Sequence, residues 1–215
     1  MAKETQSGKA GPGRPRRDGS SSKNQRAEIL QAAVRLFKKN GYAATSMSAI
    51  ARESGLGQSS LYYWFKSKDD ILVELLATNR DPLAAAEEAR AAGEDAAGQL
   101  RALLYQDTKA LCELPFDYRL LENAARKNVE EFSAFFDDYS ALVCKAEELI
   151  CEGIEQGIFA CSDPKTYAVA VVAADEGAQH RFHNQSWSPN AAKLAVTAQG
   201  IAAATAELSV RGLRA

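Results

Sequence analysis

Apolar residues recur every three or four positions along most of the chain, and no segment alternates between apolar and polar residues as a strand would. The first clear pattern runs from about Lys23 to Asn40, with two lysines in its last turn and Gly41 after it. Cations and a following glycine favour the C-terminus of a helix. The pattern therefore predicts an all-α chain with a long first helix.

Two shorter helical patterns meet in the segment from Thr45 to Asp70. Ser46 can cap the first pattern, which ends at Gly55, a residue that tolerates the left-handed backbone of a sharp turn. The second pattern runs from about Gln58 to Phe65 and directs small polar and tyrosine side chains away from its apolar face. This arrangement is typical of a helix-turn-helix that enters the major groove of DNA.

Three motifs follow one another in this region: TSMSAIA at residues 45–51, LYYWF at 61–65 and KSKDDIL at 66–72. With the preceding helix they cover roughly residues 26–76, and they closely resemble the DNA-binding domain of the TetR family of bacterial transcriptional repressors. The chain departs from the family pattern at Gly57, where many relatives carry a capping serine. Glycine supplies no side-chain acceptor, so we expect a weaker start to the recognition helix.

The resemblance implies an N-terminal three-helix helix-turn-helix DNA-binding domain, expected at residues 23–68. A larger helical ligand-binding and dimerisation domain is expected at residues 69–215. The implied partners are double-stranded operator DNA, a small-molecule effector and a second copy of the chain, with no cofactor. An effector that moves the fourth helix would change the separation of the two recognition helices and release the operator.

The resemblance also assigns DNA contacts position by position. Base edges are assigned to Gln58, Ser59 and Tyr63. Backbone contacts are assigned to Thr45, Ser46, Tyr62 and Lys68. Trp64 could touch the DNA backbone or lie partly buried against the fourth helix, and we favour burial.

Residues 1–22 are rich in glycine, serine and proline and nearly lack large apolar side chains, so we expect a flexible basic arm. Within the arm the sequence GRPRR at residues 13–17 resembles the core of an AT-hook. Arg14 and Arg16 would then follow a narrow, negatively charged minor groove beside the operator. The alternative is a solvated tail that only raises nonspecific affinity for DNA.

The distribution of charge supports a polyanionic partner for the N-terminal third. Residues 1–80 contain 14 Lys and Arg against 7 Asp and Glu, net +7, whereas residues 81–215 contain 12 against 21, net −9. A basic end that coincides with a helix-turn-helix favours nucleic acid. No apolar run is long enough for a membrane span, and the N-terminus is polar, so we expect a cytoplasmic protein.

The rest of the chain repeats helical patterns with recognisable ends. The fourth helix starts near Lys68, and Pro82 should kink or interrupt it. Asp163-Pro164 and Ser188-Pro189 each combine an N-cap with proline at the first helical position. Further helices are predicted at about 95–113, 115–127, 129–156, 163–183 and 188–210, for nine or ten in all.

The last two predicted helices carry small residues, mostly alanine and glycine, nearly all round. Small side chains permit close approach of helices, and a helix without a dominant polar face must be buried on several sides. We therefore expect the homodimer to form through these two helices as a four-helix interface. An ordinary intramolecular bundle is the alternative.

In the family the effector lies within the helices that follow the DNA-binding domain. The aromatic residues there that could line an apolar cavity are Tyr105, Phe116, Phe132, Phe136 and Tyr139. Apolar walls do not repay the desolvation of a strongly charged molecule, so we expect a mainly apolar or aromatic effector. Each of these residues could instead be plain core.

Cysteine and histidine give little sign of reactive chemistry. The four cysteines lack paired metal-ligand spacing and are expected to be free thiols, although Cys144 and Cys151, seven apart, leave thiol-based redox sensing open. The two histidines, His180 and His183, lack an evident third metal ligand, so helix-end capping or interface contacts are favoured. No phosphate-binding loop, nucleophile elbow or convincing carboxylate pair suggests an enzyme.

These patterns predict a ligand-responsive repressor that binds operator DNA as a dimer. One rival keeps the DNA-binding class but makes the protein an activator or a ligand-independent regulator. Another rival is a helical small-molecule carrier with a vestigial helix-turn-helix. The division of charge argues against the carrier, because it concentrates positive charge where DNA would bind.

Overall fold

The computed structural model describes residues 19–77, 81–114, 116–127, 129–130, 132–184 and 196–214. These residues form ten α-helices and no β-strand, which confirms the all-α prediction. The helices are α1 Gly19–Asn40, α2 Met47–Glu53, α3 Gln58–Trp64, α4 Lys68–Ala77, α5 Pro82–Ala91, α6 Ala96–Glu113, α7 Arg119–Ala125, α8 Ser133–Glu155, α9 Pro164–His183 and α10 Ala198–Leu213.

Side-chain caps fix several helix starts where the sequence predicts them. The carboxylate of Asp95 accepts a hydrogen bond from the backbone N–H of Gly98 at 2.8 Å, and α6 begins at the next residue after Asp95. Asp163 caps α9 in the same way, with Pro164 at the first helical position. Pro82 begins α5 as a separate helix, so the predicted interruption is confirmed.

Three helix starts differ from the predictions. α1 begins at Gly19 instead of Lys23, so residues 19–22, expected in the flexible arm, extend the helix by propagation from an existing nucleus. α7 begins at Arg119, whereas the predicted start, Pro115, lies outside the described residues. α8 begins at Ser133 instead of near residue 129, because the fully buried Phe132 holds a non-helical backbone at the N-cap.

The start of the last helix is also different. Thr197 caps α10, and its hydroxyl oxygen accepts a hydrogen bond from the N–H of Gly200 at 3.0 Å. Val196 and Thr197 are not helical, so the prediction of one helix from 188 to 210 is wrong. Ser188-Pro189, the predicted start, lies outside the described residues.

Two apolar clusters form the core. The first joins helices α1–α4, the expected DNA-binding helices, to the helices from α5 onward, the expected regulatory half, because Phe37 and Leu72 belong to the same buried cluster as Phe116 and Phe132. The second cluster lies within the bundle of α5, α6, α8, α9 and α10. Buried side chains therefore pack continuously across the predicted domain boundary between residues 68 and 69.

The turn between α8 and α9 is fixed against the end of α10. Phe159 and Arg214 form an isolated antiparallel β-bridge, and the N–H of Ala160 donates to the carbonyl of Leu213 at 2.8 Å. The ring of Phe159 occupies the space that a Cβ atom would need at Gly153 of α8. Glycine at position 153 thus lets the turn fold back onto its own helix.

We expect Phe132→Ala to lower the free energy of unfolding by about 3–5 kcal/mol, because it removes a fully buried ring from the first cluster. Denaturant unfolding should still follow one transition, since that cluster spans both halves of the chain. Tyr63→Ala is a matched control, as the Tyr63 side chain is exposed and its loss should change stability by less than about 0.5 kcal/mol. An equal loss in both variants would contradict the burial of Phe132 in the first cluster.

Candidate nucleic-acid interface

The α2–α3 pair forms the predicted helix-turn-helix. The hydroxyl oxygen of Ser46 accepts a hydrogen bond from the N–H of Ala49 at 3.1 Å and caps α2. Gly55 has φ +69°, which confirms the predicted left-handed turn residue. Gly57 takes the N-cap position of α3 without a side-chain hydrogen bond, as its lack of a side chain predicts.

The α3 helix has one buried face and one outward face. Leu61 is fully buried, and Phe65 just after the helix is nearly so. Tyr63 is 81 % exposed and Tyr62 is 51 % exposed, so both hydroxyl groups can reach a molecule that approaches from outside. Gln58 and Ser59 are also exposed on this helix. Trp64 is partly buried and packs against the first cluster, in line with the interpretation favoured from the sequence.

Thr45 requires a correction. Its side chain is only 2 % exposed, and its hydroxyl donates to the carbonyl of Gly41 at 2.8 Å. The carbonyl of Leu36, in the last turns of α1, lies 3.4 Å from the same oxygen. The Thr45 side chain therefore closes the α1–α2 connection and is not available to DNA, contrary to the prediction.

Lys68 is held by the α1–α2 connection. Its ammonium donates to the carbonyl of Tyr42 at 2.9 Å and lies 4.5 Å from the centre of the Tyr42 ring. Burial lowers the pKa of Lys68, and the neighbouring Asp69 carboxylate opposes this change. Lys68 thus brings positive charge near the start of α4 while it also fixes the loop that precedes α2.

The α4 start has a reciprocal cap. The Asp70 carboxylate accepts hydrogen bonds from the N–H groups of Lys66 at 2.7 Å and Ser67 at 3.2 Å. The Ser67 hydroxyl oxygen accepts from the N–H of Asp70 at 3.0 Å. This is the geometry of a capping box, and it fixes the direction in which α4 leaves the recognition helix.

Arg26 has a structural role that its sequence context does not predict. Its guanidinium binds the carboxylate of Glu74 on α4 through two nitrogens and lies 4.8 Å from the centre of the Phe65 ring. The hydrogen bond from Arg26 to Glu74 raises the pKa of Arg26. Arg26 thereby links α1, the end of α3 and α4, although nothing in its local sequence distinguishes it from a solvated arginine.

Arg14 and Arg16, the predicted minor-groove residues, lie outside the described residues.

The predicted ligand-binding aromatics do not form one set. Phe116 and Phe132 are buried in the first cluster, and Phe136 packs against it. Tyr105 and Tyr139 pack against the second cluster instead. Phe132, Phe136 and Tyr139 thus share helical spacing but not one apolar cluster, and the single cavity bounded by these three and Phe116 stays a prediction.

Polar groups occupy the packing between α6 and α9, although apolar walls are expected from the sequence. Four polar side chains of these two helices are fully buried: Asp107, Thr108, Asp175 and Gln179. Among the described residues, the Thr108 hydroxyl and Gln179 Oε1 have no hydrogen-bond partner. Burial raises the pKa of Tyr139, and the carboxylates of Glu176, Glu122 and Asp107 raise it further. The interior of the regulatory half is thus more polar and acidic than predicted.

The α9 and α10 helices leave small and apolar residues exposed. Leu208 is 73 % exposed, and Val169 is 45 % exposed. Alanines on the same two helices are exposed as well: Ala170, Ala173, Ala174, Ala203 and Ala204. Each helix buries its other face against the chain's own bundle, so within the described part of the chain the small residues on the outer faces stay exposed.

The four cysteines are free thiols. Burial, together with the carboxylates of Asp175 and Glu113, raises the pKa of Cys112 to about 12, so this thiol stays protonated. Cys144 and Cys151 are exposed on α8, and a redox role for them stays a prediction.

Within the described ranges, no group of three or more His, Cys, Asp or Glu side chains is arranged to hold a metal ion. No helix in the described part is both long and apolar enough to cross a bilayer.

Comparisons with known proteins agree with this geometry. Residues 29–75 match a family model described as "Bacterial regulatory proteins, tetR family". The chain is 26 % identical over 140 residues to the uncharacterized HTH-type transcriptional regulator YfiR of Bacillus subtilis (strain 168), covering 63 % of this chain and 68 % of YfiR. It is 34 % identical over 98 residues to the HTH-type transcriptional repressor KstR2 of Rhodococcus jostii (strain RHA1), covering 45 % of this chain and 48 % of KstR2. Three further relatives, among them the fatty acid metabolism regulator protein of Bacillus subtilis (strain 168), are matched over less than a third of their own length.

The likeness extends to whole structures. The TetR family transcriptional regulator PfmR from Thermus thermophilus superposes with a TM-score of 0.68 at 26 % identity, covering 87 % of this chain and 99 % of PfmR. The shared fold therefore continues beyond the helix-turn-helix into the regulatory half. The chain belongs to the TetR family of bacterial regulatory proteins.

Proposed function

We propose that the protein is a homodimeric transcriptional repressor that binds operator DNA through α3 and releases it when a small-molecule effector binds the regulatory half. The observation that carries this proposal is the outward face of α3, where exposed tyrosine and small polar side chains stand on a buried apolar face. A duplex site is the partner that such a face fits, because amide and hydroxyl groups can bind base edges.

We assign the reading of base edges to Gln58, Ser59 and Tyr63. Tyr62 and Ser46 would bind phosphates on either side of the groove. The Ser46 oxygen accepts the hydrogen bond that caps α2, but its hydroxyl hydrogen remains free to donate to a phosphate. Lys68 would add positive charge at the same backbone.

We infer that two copies associate through the outer faces of α9 and α10. Exposed Leu208 and Val169 beside a series of alanines provide an apolar, closely packing surface of the kind that a stable dimer buries. A dimer also meets the geometric need of recognition, because two recognition helices about 34 Å apart read successive major grooves.

We propose that the effector offers hydrogen-bonding groups as well as an apolar body. The unpartnered oxygens of Thr108 and Gln179 within the described bundle would gain hydrogen bonds from such a ligand. This proposal replaces the expectation of a mainly apolar effector. Coupling to DNA would follow from the first apolar cluster, since it joins α4 to the regulatory helices.

The relative KstR2 is named a repressor, which favours repression over activation for this chain. The basic N-terminal third, net +7 against −9 for the remainder, argues against a small-molecule carrier. A regulator of this kind would act in the cytoplasm on chromosomal DNA, and we assign it no catalytic role. A gel-shift titration with the intergenic DNA upstream of its own gene, against random duplex of equal length, tests this function directly.

We expect Tyr63→Ala to weaken operator binding by about 1–3 kcal/mol and to relax selectivity between operator and random duplex. Lys68→Ala should weaken both duplexes alike and reduce the salt slope by about one unit per subunit. Fluorescence anisotropy at several salt concentrations measures both quantities. Equal effects of the two substitutions on operator and random DNA would show that these roles are wrongly assigned.

We expect Leu208→Lys to yield monomers in sedimentation at micromolar concentration, because it places a charge in the proposed apolar interface. The matched control is Leu83→Lys on α5, where the leucine is also exposed but lies outside α9 and α10. That variant should sediment as the wild-type dimer does. A dimeric Leu208→Lys protein would remove this surface from the proposal.

Deleting residues 1–17 should weaken operator binding most where A·T pairs flank the site, if Arg14 and Arg16 enter a narrow minor groove. Competition titrations with operators that differ only in their flanks measure the effect. A purely electrostatic tail would lose the same affinity on A·T and G·C flanks, and that result would refute the minor-groove assignment.

A further inference from the structure

A hydrogen bond joins the outer surfaces of α2 and α3. The side-chain amide of Gln58 on α3 donates from Nε2 to the hydroxyl oxygen of Ser48 on α2. Both residues are exposed, so the bond lies on the outer surface of the helix-turn-helix. Gln58 is a proposed reader of base edges, and Ser48 is therefore the residue that holds the amide of a reader.

The two helices that carry this bond are fixed on their inner side. Ala51 of α2 and Leu61 of α3 are buried in the first apolar cluster. The turn between the helices is closed by the N–H of Leu56, which donates to the carbonyl of Ala51 at 2.8 Å. The Ser48 oxygen consequently stays within reach of the Gln58 amide.

The bond to Ser48 leaves part of the Gln58 amide unused. A primary amide has two N–H bonds and one carbonyl oxygen, and one N–H is taken by Ser48. Among the described residues, the other N–H and Oε1 of Gln58 have no hydrogen-bond partner. The amide thus offers one donor and one acceptor to a molecule that approaches α3.

Adenine matches such a pair of groups in the major groove. It presents the N6 amino group as a donor and N7 as an acceptor, and glutamine can bind both at once. Guanine presents two acceptors, O6 and N7, so Oε1 would face a second acceptor there. Cytosine and thymine each present a single hydrogen-bonding group at this edge.

The Ser48 hydroxyl restricts which way the Gln58 amide faces. A free glutamine amide can turn over and offer its NH₂ group in place of its oxygen, which would also suit guanine. Turning over would break the bond to Ser48. A side chain that is already held also loses less rotamer freedom when it binds a base, and this raises affinity for the matching base.

We propose that Ser48 is a positioning residue that fixes the amide of Gln58 to read an adenine in the operator. The N–H of Gln58 that points away from Oε1 donates to Ser48, the other N–H donates to adenine N7, and Oε1 accepts from adenine N6. The inference rests on the proposed DNA-binding function. It adds the base that Gln58 selects and the residue that enforces the selection.

The first experiment identifies the base. Duplexes are selected from a randomised library with the full-length protein and, separately, with Gln58→Ala. We expect the position that loses its base preference in Gln58→Ala to be an adenine. Replacing that adenine by 7-deazaadenine, which keeps N6 but lacks the N7 acceptor, should weaken wild-type binding about two- to tenfold, the loss of one hydrogen bond. Selection of guanine there, or no preference that depends on Gln58, would overturn the proposal.

The second experiment tests Ser48 on the selected adenine duplex. Ser48→Ala should weaken binding about two- to tenfold, the cost of ordering one long side chain, and should leave random duplex unaffected. Ser48→Thr keeps a hydroxyl and should bind as the wild type does. The matched control is Ser140→Ala, which removes an exposed serine of α8 and should change nothing. Wild-type affinity in Ser48→Ala would refute the positioning role.

A double-mutant cycle separates positioning from a direct role of Ser48. Adding Ser48→Ala to Gln58→Ala should have no further effect, because the group that Ser48 holds is already gone. The same loss in both backgrounds would show that Ser48 contacts DNA itself or supports the fold of α2, and would overturn the proposal.

The hydrogen bond is also measurable without DNA. The heteronuclear ¹H–¹⁵N NOE of the Gln58 side-chain amide reports its motion on the picosecond to nanosecond scale. We expect a higher NOE in the wild type than in Ser48→Ala, and equal values would overturn the proposal.

These measurements keep the two proposals apart. If a duplex is selected but Ser48→Ala binds it as the wild type does, the positioning role fails and the regulator proposal stands. If no sequence is selected over random duplex, the regulator proposal fails and the adenine assignment fails with it.

Discussion

Apolar packing across the junction between α4 and the regulatory helices is the constraint on which the rest of the structure depends. Leu72 of α4 and Phe37 of α1 belong to the same buried cluster as Phe116 and Phe132. A three-helix unit of this size buries little surface by itself, so its stability must come partly from that shared cluster. The recognition helix therefore packs on the same cluster as the regulatory helices, and the proposed response to an effector would act through this cluster.

Polar contacts further fix the orientation of the segments that this apolar packing holds together. Arg26 is placed between the Phe65 ring and the Glu74 carboxylate, and Lys68 is placed on the Tyr42 carbonyl and ring. Both join segments that are distant in sequence but adjacent around α3. These contacts orient the segments but change the free energy of unfolding little, because partly exposed ion pairs contribute little to stability. The outward angle of α3 is thus set by contacts on its buried side.

Local signals made much of this fold predictable. Asp95 and Asp163 cap their helices because their chemistry acts within three residues, and Gly55 turns the chain because only its own backbone is involved. The exposed face of α3 followed from helical spacing in the same way. Partners distant in sequence were not predictable: Phe116 and Tyr139 share an aromatic character, yet the fold assigns them to different clusters. The buried Thr108 and Gln179 were missed because a polar residue on a helix is usually solvated.

Gly153 and Phe159 carry a consequence for how this sequence can change. The ring of Phe159 fills the position of a missing Cβ, and the same turn is tied to the last residues of α10. Any side chain at position 153 must displace that ring, whereas a smaller residue at 159 would leave a void beside the glycine. The two positions can therefore change together but not separately. Among relatives that keep this turn, a larger residue at position 153 should accompany a smaller one at position 159.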